Sequence, residues 1–301
     1  MTNRDNEWAD YYSAFDYFSP EKVRDGCHPR MREHGSAVNA IVLVHGLSDS
    51  PYFVSAIADH FFEELGYNVY MPLLHFHGLK DPGGMEGVAL EEWKRNVLWS
   101  VRVAASRARR VSIGGLSTGG ALSFYAACMT PRINGDVLLF SAALRLLVAD
   151  NGTIGDMVTA LLRSRLLPWI MDKKQAGKPL VGENPYRYAY VDADGARELA
   201  KLIREIQEIQ QGFDMETPFR NRLFAAHSYA DKTANIDAIL ALRDIIPADR
   251  LTEFLIDRAD NVEHAEVVLK DDIVVNKRTL EKRNPRFGEM MQAVSRFVRD
   301  A

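Results

Sequence analysis

The chain has 301 residues, of which 47% are hydrophobic and 26% charged, and its formal net charge at pH 7 is −4. This composition is typical of a folded globular protein and excludes an extensively disordered chain. No basic excess indicates nucleic acid, so we expect no nucleic-acid partner. The length is long for one domain and short for two, which favours a single α/β domain with an insertion.

The cysteines and the N-terminal residues indicate the compartment. Cys27 and Cys128 are the only cysteines, and their spacing fits neither a disulfide framework nor a zinc site. The first eight residues lack the apolar stretch of a signal peptide, and no apolar run reaches the about 18 residues that a membrane span needs. We therefore expect a cytoplasmic protein that has no membrane span and uses no metal or other cofactor.

The first clear element is a buried strand. Residues 40–44 are all apolar, as expected of a strand that is covered on both faces of a parallel sheet. A helix follows, and Asp49 or Ser50 is expected to cap it. Pro51 suits its first turn, and Gly66 ends it. Its apolar stripe consists of Val54, Ile57, Ala58, Phe61, Phe62 and Leu65.

Strands and helices then alternate along the chain. Residues 68–71, 111–113 and 137–140 have the apolar or β-branched character of further strands. Helices are predicted between them, one with an apolar face from Leu90 to Ala104 and one from residue 121 to about 129. This alternation predicts right-handed crossovers and a mostly parallel sheet with helices on both faces, an α/β fold.

The alternation stops near residue 145 and resumes near residue 219. Helical patterns occur between these points, at 156–167 and 199–209, without a convincing strand. The elements expected after the break are a strand at 223–226, a helix at 236–245, a strand at 251–256 and a helix at 287–297. We therefore predict a core formed by residues 1–144 and 219–301 and a helical insertion, or lid, formed by residues 145–218.

A serine stands between the third core strand and its helix. Ser117 is the centre of the pattern Gly-Leu-Ser-Thr-Gly over residues 115–119. A nucleophilic hydroxyl must be held out of the core on a sharp turn, and small residues two before and two after it let the strand and helix pack closely. The helix that begins after Ser117 also directs its positive dipole end at any oxyanion formed there. Ser117 is therefore a candidate nucleophile.

A nucleophilic serine requires a base and an acid that orients the base. His264, on the loop after strand 251–256, is the expected base, in preference to His227 at the end of strand 223–227. Asp231, on the loop after that same strand, is the expected acid because in doubly wound hydrolase sheets the order along the chain is serine, acid, histidine. The remaining candidates for the acid are Asp150, Asp257 and Asp260.

Two backbone amides are expected to stabilise the oxyanion of such a site. One belongs to Thr118, directly after the nucleophile, and the other to Leu47, after the first core strand. His45 is expected to form structural hydrogen bonds. His75 and His77 lack a third ligand at suitable spacing, so we expect a loop role for them and no metal.

Taken together, these motifs resemble a known superfamily. The chain is similar to the α/β-hydrolases in residues 44–51, in His77-Gly78, in the turn at 115–120, in Asp231 and in His264. Within that superfamily it resembles the branch of microbial carboxylesterases, monoacylglycerol lipases and serine aminopeptidase-like hydrolases. The resemblance extends over nearly the whole chain.

The resemblance implies a role for each motif. Ser117 would be acylated, Asp231 and His264 would complete a catalytic triad, and the amides of Leu47 and Thr118 would form the oxyanion hole. Residues 145–218 would be the lid. The chain departs from the branch at Phe76, where the branch usually has glycine, at Lys232-Thr233 after the acid, and at Glu263, which directly precedes the base and would favour its charged form.

Other functions agree less well with these residues. A phosphate-binding loop is excluded because Leu116 interrupts the glycine pattern and Gly119-Gly120 stands where lysine and serine or threonine would be required. A ligand-binding module on a hydrolase fold is an alternative of a different class. Among enzymes, we predict hydrolysis of small carboxylic esters, with serine aminopeptidase and thioester or lactone hydrolase as alternatives. The lid residues Trp169 and Met171 are candidates for the substrate pocket.

Overall fold

The fold is a seven-stranded, mostly parallel sheet with helices on both faces, the arrangement that the strand pattern predicts, and the strand at Arg30–Arg32 is one that the sequence did not indicate. The computed structural model describes residues 7–35, 37–81, 84–145 and 180–300. The strands of the sheet are β1 Arg30–Arg32, β2 Asn39–Val44, β3 Asn68–Met71, β4 Arg110–Leu116, β5 Val137–Phe140, β6 Leu223–Ser228 and β7 Leu251–Ile256. Their spatial order is β1-β3-β2-β4-β5-β6-β7, and only β1 runs antiparallel to its neighbour.

Helices connect most of the strands. In the described residues they are α1 Ala9–Ala14, α2 Ser55–Glu63, α3 Leu90–Arg107, α4 Thr118–Met129, α5 Ala193–Gln210, α6 Ile236–Leu240 and α7 Phe287–Arg299. Side chains of α3, α4, α5 and α6 belong to one core cluster, and side chains of α2 and α7 belong to the other. None of the helices in this part of the chain is both long and apolar enough to cross a membrane.

The sheet separates two hydrophobic cores. Along β2, Ala40, Val42 and Val44 enter one cluster, whereas Ile41 and Leu43 enter the other. Both sets are fully buried, since alternate residues of a strand point to opposite faces. The continuous apolar run therefore reflects a strand that is covered on both sides. Because the central strands are parallel, their carboxyl ends lie at one edge, where a functional site is expected in such folds.

The described part of the predicted insertion is fixed to the core. Asp192 caps α5 by accepting a hydrogen bond of 2.7 Å from the amide of Asp194. On the side of the core, Lys94 of α3 pairs with Glu205 of α5 at 2.8 Å. The amide of Leu90 at the start of α3 donates a hydrogen bond of 3.0 Å to Glu198. These contacts hold α5 against α3.

Aromatic side chains near the N-terminus pack on the core. Trp8, Tyr11, Phe15 and Phe18 are buried, and the rings of Trp8, Tyr11 and Phe15 all contact the ring of Trp99 on α3. The hydroxyl of Tyr11 donates a hydrogen bond of 2.7 Å to the carbonyl of Leu73. The sequence predicted no secondary structure for these residues. We call Trp8, Tyr11, Phe15 and Phe18 the N-terminal aromatic cluster.

Two local features differ from expectation. Ser50 precedes a short 3-10 helix, Pro51–Val54, but its side chain makes no capping hydrogen bond, and Asp49 pairs with Arg187 instead. The expected side-chain cap is therefore wrong. In addition, an antiparallel hairpin of β8 Ile273–Val275 and β9 Arg278–Glu281 lies between the His264 loop and α7, where the sequence predicted no strands.

Candidate active site

The site begins at the turn between β4 and α4. Ser117 has a φ of 54° and a ψ of −117°, a backbone conformation that L-residues rarely adopt. Three hydrogen bonds, each of 3.0 Å, hold it there: its amide donates to Phe140, and its carbonyl accepts from Ala121 and Ala143. This network lifts the hydroxyl to the carboxyl edge of the sheet.

The two glycines of the turn permit a close approach of backbones. A Cβ atom on Gly119 would lie 2.1 Å from the carbonyl oxygen of Val44, and one on Gly115 would lie 2.5 Å from the same oxygen. Both positions therefore exclude any side chain. The pattern at 115–119 has a steric cause, because β2, β4 and the first turn of α4 meet at this point.

Three polar side chains meet beside the turn. The Nε2 atom of His264 lies 2.8 Å from Oγ of Ser117, and its Nδ1 atom lies 2.7 Å from Oδ2 of Asp231. An ionised carboxylate only accepts hydrogen bonds, so Nδ1 carries the proton and Nε2 accepts from the serine hydroxyl. The structure thus brings together the three residues that the sequence singled out after β4, after β6 and after β7.

The surroundings of Asp231 stabilise the ionised form of its carboxyl group. Its Oδ1 atom accepts hydrogen bonds from the amides of Thr233 at 2.8 Å and Ala234 at 3.2 Å. Burial alone would raise the pKa of this carboxyl, but the neighbouring His264, with a smaller effect of His227 and the amide of Thr233, holds the pKa below its usual value. The carboxylate is therefore charged at neutral pH and can orient His264.

The other candidate acids have different partners. Asp257 accepts a hydrogen bond of 2.8 Å from the amide of Ala259, and Asp260 lies 3.7 Å from Arg286. Asp150 lies outside the described residues. Glu263, which precedes the histidine, is largely exposed and lies 3.7 Å from Lys232, so a cation stands next to its carboxylate.

The amides expected for the oxyanion hole flank the serine. Thr118 is the first residue of α4, so its amide has no acceptor within the helix. Leu47 follows Gly46, and a Cβ atom on Gly46 would lie 3.3 Å from Cβ of Ser117. Within the described residues, no hydrogen-bond acceptor is found for the Leu47 amide. Neither amide thus has a recorded acceptor among the described residues, and we propose that both bind the oxyanion formed at Ser117.

The buried histidines on the loops after β2 and β3 have structural contacts. Nδ1 of His45 donates to the carbonyl of Gly46 at 2.9 Å, and Nε2 accepts from the amide of Leu74 at 3.1 Å. Nδ1 of His75 accepts from the amide of Ala89 at 3.3 Å, and His77 contacts the carbonyl of His75 at 3.0 Å. No cluster suited to a metal occurs among residues that the structure describes.

An ion cluster that the sequence did not indicate lies next to the site. Nε of Arg187 is 3.2 Å from Asp49, Nη1 is 2.8 Å from Glu281 on β9, and Nη2 donates to the hydroxyl of Ser48 at 3.1 Å. Arg187 and Glu281 also line a cavity of about 530 Å³ together with Ser48, Tyr190 and Leu280. The three charged residues are far apart in sequence, so no local sequence pattern predicts that they form an ion cluster. Trp169 and Met171, the candidates for the substrate pocket, lie outside the described residues.

Comparison with known proteins agrees with this architecture. No protein-family model matches the chain. A thermostable monoacylglycerol lipase from Bacillus sp. (strain H-257) is 30% identical over 120 residues, which are 40% of this chain and 46% of the relative. The chain thus matches less than half the length of that curated relative.

Solved structures match over almost the whole chain. A structure from work on the metagenome-derived lipolytic enzymes LipS and LipT has a TM-score of 0.65 at 17% identity, covering 93% of this chain and 100% of that one. A monoacylglycerol lipase from Paleococcus ferrophilus has a TM-score of 0.62 at 15% identity and covers 91% of this chain and 100% of its own. At such identities the likeness concerns the fold. The chain is an α/β-hydrolase by fold, as the sequence resemblance predicted.

Proposed function

We propose that this chain is a serine hydrolase that cleaves small carboxylic esters through an acyl-enzyme on Ser117. The observation that carries the proposal is the continuous hydrogen-bonded line from Ser117 through His264 to Asp231, with distances of 2.8 and 2.7 Å. The partial identity to a monoacylglycerol lipase and the structural likeness to lipolytic enzymes support the same chemistry.

The first half of the reaction forms the acyl-enzyme. Oγ of Ser117 attacks the ester carbonyl while its proton passes to Nε2 of His264, and Asp231 stabilises the resulting imidazolium. The tetrahedral oxyanion is bound by the amides of Leu47 and Thr118. When the carbonyl re-forms, the bond between carbon and the alcohol oxygen breaks, and His264 gives its proton to the leaving alcohol.

The second half returns the enzyme to its initial state. Water attacks the acyl carbon and gives a proton to His264, and the same two amides bind the second oxyanion. Collapse breaks the bond to Oγ of Ser117, which regains the proton from His264, and the carboxylic acid leaves. These steps require the groups described above and a water molecule, and no metal ion takes part in them.

A substitution and a covalent probe test this proposal together. Ser117→Ala should lower turnover of a nitrophenyl ester by a factor on the order of 10⁴ or more, with the thermal unfolding midpoint nearly unchanged. A fluorophosphonate should label the wild-type chain on Ser117 and leave the variant unlabelled. Near-normal turnover by the variant, or a label on another serine, would contradict the assignment.

We further propose that residues 145–218 form a lid that determines the substrate. The triad and the two amides treat every acyl carbonyl alike, so discrimination must come from groups that contact the rest of the substrate. The apolar residues around Trp169 and Met171 favour uncharged esters of short to medium acyl chains, with monoacylglycerols among the candidates. Peptide, thioester and lactone hydrolysis are the alternatives that a substrate panel must exclude.

The panel consists of nitrophenyl esters of increasing chain length beside aminoacyl nitroanilides. We expect the esters to be the better substrates, and Trp169→Ala to change the preference for chain length more than it changes turnover of the acetate ester. An equal loss on every chain length, or no loss on any, would show that Trp169 does not line the pocket.

A further inference from the structure

The direction of the Leu47 amide is fixed by the peptide group that it shares with the Gly46 carbonyl. These two groups lie in one plane and point in opposite directions. The Gly46 carbonyl accepts the ring proton of His45 at 2.9 Å and the amide of Asp49 at 3.3 Å. Whatever holds Asp49 and its neighbours in place therefore also fixes the orientation of the Leu47 amide.

The segment between Gly46 and Asp49 needs outside support. Ser48 has a φ of 59°, which lies in the left-handed region that serine adopts only at a cost. Its carbonyl accepts a hydrogen bond of 2.7 Å from the amide of Tyr188, and its hydroxyl accepts one of 3.1 Å from Arg187. Two consecutive residues of the predicted insertion, Arg187 and Tyr188, thus form hydrogen bonds to Ser48 and stabilise its strained backbone.

Arg187 completes the support through charge. Its guanidinium lies 3.2 Å from the buried carboxylate of Asp49, which itself packs against the backbone of Gly46, since a Cβ atom there would lie 2.3 Å from Oδ2. The opposite side of the guanidinium pairs with Glu281 of β9 at 2.8 Å. The planar fork can bind all three partners at once, which a lysine cannot do.

We propose that Arg187 is a positioning residue that keeps the Leu47 amide aimed at the oxyanion by holding Ser48 and Asp49. It does not touch the reacting atoms. The inference rests on the proposed ester hydrolysis, and it links residues of the predicted insertion and of the β8–β9 hairpin to the chemistry at Ser117.

The test compares Arg187→Met with a matched control, Arg278→Met. Arg278 also joins the same two parts of the chain, through an exposed ion pair of 3.1 Å with Glu183, and the structure records no hydrogen bond or ion pair between it and residues 46–49. Arg187→Met should lower kcat by about 10- to 100-fold, somewhat less than the loss of an oxyanion-hole donor, while KM changes by less than about threefold. Arg278→Met should keep kcat within about twofold of the wild type.

A transition-state analogue gives an independent measurement. An alkyl boronic acid forms a tetrahedral adduct with a catalytic serine, so its affinity should fall in Arg187→Met by about the same factor as kcat. Normal kcat and boronate affinity in a folded Arg187→Met variant would overturn the inference. An equal loss in Arg278→Met would also overturn it, because general docking of the hairpin would then explain the effect.

Two milder variants decide the question if Arg187→Met does not fold. Ser48→Ala removes one hydroxyl and Arg187→Lys keeps the charge but loses the fork, and each should lower kcat by about 3- to 10-fold with little change in KM. Unchanged kcat in both would overturn the inference. Failure of the proposed function looks different: the wild-type chain would then hydrolyse no ester, and fluorophosphonate would not label Ser117.

Discussion

His227 lies directly behind Asp231, with Nε2 only 3.6 Å from the Oδ2 atom that accepts the proton of His264. The imidazole of His227 is fully buried, and within the described ranges its ring nitrogens make no hydrogen bond of good geometry, only a weaker approach to the backbone of Ala234. Burial holds the pKa of His227 below its ordinary value despite the nearby carboxylate. Two histidines therefore flank one acid, but only His264 also reaches Ser117.

The two histidines should respond very differently to substitution. His227→Phe should keep kcat within about threefold at pH 7.5, because a neutral ring with no hydrogen bond of good geometry is replaced by another of similar size. His264→Ala should lower kcat by a factor on the order of 10⁴ or more, since the base is lost. Steady-state kinetics on a nitrophenyl ester check both, and a severe loss in His227→Phe without unfolding would assign this histidine a part in catalysis.

Asp231→Asn should lower turnover by a factor on the order of 10⁴, because an amide in place of the carboxylate favours the wrong tautomer of His264. The hydrogen bonds to the amides of Thr233 and Ala234 can persist in the variant, so the fold should survive. Asp257→Asn and Asp260→Asn serve as controls and should remain within about twofold. A loss of less than about tenfold in Asp231→Asn would transfer the orienting role to another carboxylate.

Acid should destabilise the protein below the ordinary pKa of histidine. Burial lowers the pKa of His45 to about 4 from its ordinary value of 6.5. The unfolded chain therefore binds more protons than the folded chain between these values, so stability rises with pH across this window and is lost as pH falls from 6.5 to 4. For His45 the difference corresponds to about 3 kcal/mol. Protonation also removes the lone pair that accepts the Leu74 amide.

Unfolding midpoints measured from pH 4 to pH 7 check this expectation. His45→Gln, which does not titrate, should be less stable at pH 7 but should show a shallower pH dependence. The buried His75, whose pKa is lowered to about 4 by burial, contributes in the same direction and remains in the variant. A wild-type midpoint that is constant between pH 4.5 and 6.5 would contradict the prediction.

Gly119→Ala should be among the most damaging single substitutions in the core. Its new methyl group would meet the carbonyl oxygen of Val44 at 2.1 Å, and neither backbone can move without displacing a central strand. The expected cost is about 3 kcal/mol or more, with loss of activity. Gly288→Ala is the matched control, since a Cβ atom at that position of α7 meets nothing within 4 Å. Gly288→Ala should stabilise the protein by about 0.5 to 1 kcal/mol. Equal unfolding midpoints of the Gly119→Ala and Gly288→Ala variants would contradict this prediction.

Physical reasons decide how much of this molecule can be predicted from its sequence. The strands at 68–71 and 137–140 are predictable because both of their faces are buried, and their structural bounds agree with the prediction. Ser117 is predictable because a steric requirement places glycine on both sides of it. Both signals, the continuous apolar run and the glycine spacing, depend only on residues that are close in sequence.

Long-range features leave no comparable trace. The strands of the β8–β9 hairpin are short, and only one of their residues is buried, so they lack the apolar alternation of a half-buried sheet. Asp49, Arg187 and Glu281 meet only after the chain has folded, and each alone has the appearance of an ordinary surface charge. The cap expected at Asp49 is wrong for the same reason, because its carboxylate pairs with Arg187, which is distant in sequence.

The N-terminal aromatic cluster gives the molecule an optical reporter. The indoles of Trp8 and Trp99 have their ring centroids 5.0 Å apart, close enough for their excited states to couple and to contribute to the near-ultraviolet circular dichroism. This signal requires that the N-terminal aromatic cluster stays packed against α3, and it does not involve the catalytic residues. Near-ultraviolet circular dichroism can therefore follow the detachment of the N-terminal aromatic cluster separately from the loss of helical structure, without any added dye.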